Sequence, residues 1–168
     1  MDRYTKARKI FEEIRDRPYR VMVTADDTAQ NCYIKNKELL EELGMLGFGV
    51  RGRFCEMDWN DTPLPKDLVK LYPEDLLATH FYIEIEENGN WRALDASWNK
   101  ELEERGFPIC TWEGDNPIGL KVKKLYNFDE QTAYLEEASK DEIVEDYFTR
   151  AAPFLKALNK WLDKADFY

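Results

Sequence analysis

Cys32, His80 and Asp95 are a thiol, an imidazole and a carboxylate, in the chain order of a cysteine-nucleophile system. In such a system the thiolate attacks an acyl carbon, the imidazole moves the proton, and the carboxylate orients the imidazole. His80 is the single histidine of the chain, so a histidine base has one candidate.

The elements that must bring these three together can be read locally. Thr79 to Glu86 alternates, with Phe81, Ile83 and Ile85 on one face and His80, Glu84 and Glu86 on the other. Asn88-Gly89 follows, the strongest short hairpin signal, because a type I′ turn needs positive φ at both central positions. Trp91 to Asp95 is the returning strand. Closing at Glu87 and Asn90 pairs Glu86 with Trp91, Ile83 with Leu94, Tyr82 with Asp95 and His80 with Ser97. Asp95 is then the diagonal neighbour of His80 on one face, and a slip of one residue would separate them.

Cys32 opens a helix expected to run to about Leu43 and to stop at Gly44, with Asn31 as its N-cap. The free amides and dipole of a helix start favour a thiolate, and the Cys32 N–H would face a developing oxyanion. Cys32, Leu39 and Leu43 share one helix face, which turns the thiol toward the sheet. The competing reading of a cysteine on such a face is ordinary packing.

Composition narrows the setting. The 168 residues suit one domain, residues 1–168, with 43% hydrophobic and 14% aromatic content, enough for a proper core. A net charge of −10 argues against nucleic acid and anionic membrane as partners, since both call for a basic surface. No apolar run approaches a membrane span, and the first residues do not read as a signal peptide, so the expected location is cytoplasmic. Cys32, Cys55 and Cys110 are odd in number and widely spaced, a poor match to a disulfide scaffold or a zinc cluster. No metal site and no cofactor are expected. Glu56, Asp58 and Asp61 form an acidic cluster without the calcium-loop pattern and read as a solvated face.

Along the rest of the chain, residues 4–16 read as an amphipathic helix with Ile10, Phe11 and Ile14 inward. Residues 18–30 form a loop rich in Asp and Thr. Gly47 to Trp59 is extended, Lys66–Tyr72 a short helix, and residues 99–106 a helical turn. An aromatic loop covers 110–117, where Trp112, with Trp98 upstream, is either core or the wall of a substrate groove. A helical tail, about 129–165, is expected to break near Pro153. Strands in mid-chain between helical ends predict an α+β domain: N-terminal helices on a central antiparallel sheet, with a helical C-terminal tail.

The ordered set of pieces resembles the transglutaminase-like superfamily. The pieces are Cys32…Lys35…Leu39-Leu40…Leu43-Gly44, then Gly47-Phe48-Gly49-Val50-Arg51. After them come His80-Phe81-Tyr82-Ile83-Glu84-Ile85, Asn88-Gly89, Trp91 and Leu94-Asp95-Ala96-Ser97-Trp98. The resemblance covers about residues 30–98. It implies a papain-like fold, with Cys32 as nucleophile, His80 as general base and acid, and Asp95 as orienter. It further implies acyl transfer through a thioester, with hydrolysis of a peptide or protein amide as the preferred outcome and an amine acceptor as the variant. The chain departs from the family where a glycine usually precedes the nucleophile: Gln30-Asn31 stand there instead. By proximity Gln30 and Asn31 are the candidates for the second oxyanion donor. The departure also motivates the competing class, a non-catalytic binding module of the same fold.

Overall fold

The computed structural model describes residues 2–114 and 121–163. Helix α1, Arg3–Arg15, is started by Asp2, whose carboxylate accepts from the N–H groups of Tyr4 and Thr5. Ala7, Phe11 and Ile14 turn inward, and Ile10 packs at the margin. Helix α2, Cys32–Met45, is started by Asn31, whose side chain accepts from the Ile34 N–H at 3.0 Å. The helix outruns the expected stop at Gly44. Gly47 ends it instead, at φ 79°, with Gly47 N–H on the Gly44 carbonyl and Phe48 N–H on the Leu43 carbonyl. That pair of bonds requires the left-handed residue one place after the cap, which Gly44 does not occupy.

Four antiparallel strands follow: β1 (Val50–Met57), β2 (Ala78–Glu87), β3 (Asn90–Leu94) and β4 (Lys124–Leu125), ordered β3-β2-β1-β4. The hairpin has the expected register, with Ile83 opposite Leu94, Glu86 opposite Trp91 and Glu87 opposite Asn90. Its turn carries positive φ at Asn88 and Gly89, 52° and 79°. The ladder ends at Leu94, so Asp95 and Ser97 lie just past the strand rather than in it. Between β1 and β2 run a 3₁₀ turn, Trp59–Asp61, and helix α3, Lys66–Val69, shorter than expected. Another 3₁₀ turn fills Lys100–Arg105.

The tail forms α4, Phe128–Ala138, and α5, Asp141–Asp163. The break falls at Ser139 and Lys140, not at Pro153. Pro153 lies on the exposed face of α5, where water can take the carbonyl it leaves unbonded, while Ala151, Phe154 and Leu155 beside it are buried. Residues 115–117 of the expected aromatic loop, and 164 and 165 of the expected tail, lie outside the described residues.

The architecture is therefore α+β, and its apolar residues form two clusters. One joins α1, α2 and the sheet, centred on Phe11, Leu39, Leu43, Ile83, Ile85 and Leu94. The other lies under α5, where Phe154, Leu155 and Leu158 meet Tyr19, Val21, Trp98 and Phe107. Among the described residues no helix is long and apolar enough to cross a membrane.

Candidate active site

His80 and Asp95 are each 2% exposed, and the His80 Nε2 lies 2.7 Å from Asp95 Oδ2. The Cys32 thiol lies close enough to the same imidazole to raise its affinity for a proton. With Nε2 engaged by the carboxylate, Nδ1 is the ring nitrogen left for the sulfur. Burial, the largest single influence, works to lower the imidazole, but the charge and hydrogen bond of Asp95 together with the nearby Cys32 outweigh it, and the group is pushed up to about 10. Cys32 itself is half-buried, while Cys55 and Cys110 are buried and carry no partner thiol. Burial pushes both of those thiols up to about 12.

Two residues that the sequence reading gave no role hold this arrangement. Asn36, one helical turn after Cys32, is fully buried. Its Oδ1 accepts the Ala96 N–H at 2.8 Å, which orients the carboxamide. Its Nδ2 then donates toward Asp95 Oδ1 at 2.9 Å, Ser97 Oγ at 3.1 Å, and the Phe81 and Cys32 carbonyls, both at 3.0 Å. Asp95 Oδ1 also accepts from the Ser97 N–H at 2.9 Å and from the Ser97 hydroxyl. One carboxylate oxygen is thus held by α2 and its own loop, leaving the other for the imidazole.

Lys35 is likewise fully buried, and its three N–H donors meet three carbonyls: Arg15 at 2.7 Å, Arg17 at 2.8 Å and Ser97 at 2.8 Å. It ties the end of α1, the chain beyond it and the exit of β3 to one point on α2. Burial pulls its ammonium down to about 7 against the opposing charge of Asp95. The signal available in the sequence was positional. Lys35 and Asn36 stand three and four residues after Cys32, on the face that Leu39 and Leu43 bury, and polar groups there need internal partners.

The remaining sequence candidates fall in different places. Asn31 spends its side chain on the α2 cap. The Gln30 backbone pairs with Arg20 as an isolated antiparallel bridge, and its buried Oε1 has no partner among the described residues. Trp98 and Trp112 do not share a groove wall. Trp98 is 4% exposed, packed between Tyr19 and Phe107 with ring centres at 4.4 and 4.6 Å, and its Nε1 has no partner among the described residues. Trp112 is 7% exposed and packs on Phe11 in the other cluster.

Glu84, on the His80 face of β2, is taken up by Arg51 and Arg53. In the acidic cluster Asp58 pairs with Lys123, and Asp61 with Lys121.

No family model, curated protein or solved structure matches the chain. The chemistry therefore rests on its own residues.

Proposed function

We propose that the chain is a cysteine-nucleophile acyl-transfer enzyme of papain-like, transglutaminase-like type, acting on a peptide or protein amide. The observation that carries this reading is the His80 imidazole set between Asp95 Oδ2, at 2.7 Å, and the Cys32 thiol at the first position of α2. In this mechanism Cys32 Sγ attacks the amide carbonyl carbon to give a tetrahedral oxyanion. The imidazolium of His80 gives its proton to the departing nitrogen, the carbon–nitrogen bond breaks, and a thioester remains. His80 then takes a proton from water, which attacks the thioester, releases the acid and restores the thiol. An amine in place of water would complete a transfer instead. A reducing cytoplasm, the setting expected from the sequence, keeps such a thiol available.

The test is the pH dependence of iodoacetamide alkylation at Cys32, Cys55 and Cys110, followed by peptide mass mapping, in wild type and His80→Ala. The expected result is that Cys32 alone reacts well below the ordinary thiol value of about 8.5, and that His80→Ala removes this advantage. Alkylation of Cys32 no faster than at the two buried thiols, or unchanged by His80→Ala, would overturn the reading. The second reading, a non-catalytic binding module, draws on Tyr134 and Tyr147, which come from the C-terminal helices and sit close enough to sense the charge of Cys32. An inert Cys32 is what the module predicts.

A further inference from the structure

Attack on a carbonyl creates an oxyanion, and its stabilisation needs at least two donors aimed at one point. The Cys32 backbone N–H is one. It lies at the first position of α2, and among the described residues no backbone carbonyl accepts it. Asn31 accepts the Ile34 N–H through Oδ1, which ties its carboxamide to the α2 cap.

The loop before α2 brings a different group to this position. Arg20 and Gln30 exchange both backbone hydrogen bonds, at 3.3 and 3.1 Å, so the antiparallel pairing lays residue 19 alongside the start of α2. Tyr19 is held there from several directions. Its own N–H donates to Asn99 Oδ1 at 2.9 Å, and its ring packs on Trp98. Two residues on, Asn159 of α5 takes the Val21 N–H at 3.0 Å and donates to the Val21 carbonyl at 2.9 Å. Tyr19 is 6% exposed, and its phenol lies close enough to the Cys32 backbone N–H to be influenced by it.

We propose that the Tyr19 hydroxyl and the Cys32 backbone N–H are the two donors of the oxyanion site, serving amide, ester or thioester carbonyls. The inference rests on the acyl-transfer reading above and adds a catalytic residue to it. When a carbonyl oxygen enters between the two groups, the phenolic O–H rotates about its C–O bond to face it. Tyr19 donates a hydrogen bond and keeps its proton throughout, so no bond to it forms or breaks. Burial raises the phenol well above its ordinary value, which preserves it as a donor.

Two reagents separate this role from a merely structural one. p-Nitrophenyl acetate acylates the thiol through a tetrahedral oxyanion, whereas iodoacetamide alkylates it by direct displacement at carbon, with no oxyanion. Tyr19→Phe is expected to lower the p-nitrophenyl acetate acylation rate about 100-fold. It should leave the iodoacetamide rate at Cys32 and its pH profile within about twofold of wild type.

If Tyr19→Phe proves poorly folded, Asn99→Ala keeps the phenol and releases its backbone. About a tenfold loss in acylation alone is expected from that variant, the smaller effect following from a donor misplaced rather than removed. Equal losses with both reagents, or unchanged acylation, would overturn the assignment. A wild-type Cys32 that is alkylated rapidly but not acylated would overturn the oxyanion site while sparing the triad. Inertness to both reagents would overturn the triad and the oxyanion site together.

Discussion

The cluster between α1, α2 and the sheet is built from positions that recur along regular elements, whereas the cluster under α5 is built largely from loops. In the first, Phe81, Ile83 and Ile85 alternate along β2 and meet Leu39 and Leu43, a turn apart on α2. In the second, one amphipathic helix supplies the periodic face, and the segment carrying Tyr19 and Val21 is tied by buried side-chain amides, Asn159 to α5 and Asn99 to the loop of Trp98. Periodic packing fixes itself through the hydrogen bonds of its own elements. Loop packing needs separate tethers, because the backbone groups of a buried loop have no ladder to join. The candidate site lies on the seam: His80 and Asp95 hang from the sheet side, and Tyr19 belongs to the helix side.

The strongest way to break this contrast is Phe154→Ala. Phe154 is fully buried, with the Trp59 and Tyr72 rings at 5.0 and 5.1 Å. Its truncation should cost about 3–5 kcal/mol in urea denaturation. Amide exchange should quicken first in residues 19–21 and α5, while the amides of Ile83 and Ile85 keep their protection. A uniform loss of protection would show that the two clusters melt as one unit.

A smaller cut targets a tether. Asn159→Ala leaves the N–H and the carbonyl of Val21 without their protein partner and should cost about 1–3 kcal/mol. Because Val21 follows Tyr19 so closely, its p-nitrophenyl acetate reactivity should fall more than its alkylation rate. Loss of stability with the two rates kept in their wild-type ratio would mean that the loop holds its place without α5.

The contrast also explains what could be read beforehand. The hairpin register, the Asn31 cap and the placing of Cys32 at a helix start follow from alternation, turn chemistry and capping, all local rules. Chain proximity points to Gln30 and Asn31 as oxyanion groups, whereas the structure ties the Gln30 backbone to Arg20 and the Asn31 Oδ1 to the α2 cap. Tyr19 sat unnoticed in a stretch read only as loop, since its place depends on the Arg20–Gln30 bridge and on Asn99, eighty residues away. The extent of α2 and the continuity of α5 through Pro153 were likewise settled by packing of buried neighbours and by one left-handed glycine.

The subtlest expectation concerns pH, because two buried cations close to Asp95 pull in opposite directions. His80 stands at about 10 when folded against an ordinary 6.5, so its contribution is complete below about 6.5 and is lost as pH rises through about 10. Lys35 stands at about 7 against an ordinary 10.5, so folding penalises its charge below about 7, and that penalty fades by about 10.5. Between pH 7 and 9 the two trends largely cancel in the wild type. His80→Gln should therefore give a urea midpoint that rises with pH over this window, and Lys35→Met one that falls. Slopes of the same sign in both variants would contradict the opposed pair.

The hairpin has a consequence for the order in which the site is assembled. His80 and Asp95 are only 15 residues apart in the chain and are joined through an Asn-Gly turn that already prefers their register. The entropy of closing so short a loop is small, and an isolated hairpin forms within about 1–10 μs. Cys32 lies much farther off in sequence and reaches the imidazole only when α2 docks on the sheet. During synthesis the thiol leaves the ribosome first, yet it must wait, unpaired, for the strand that carries the imidazole.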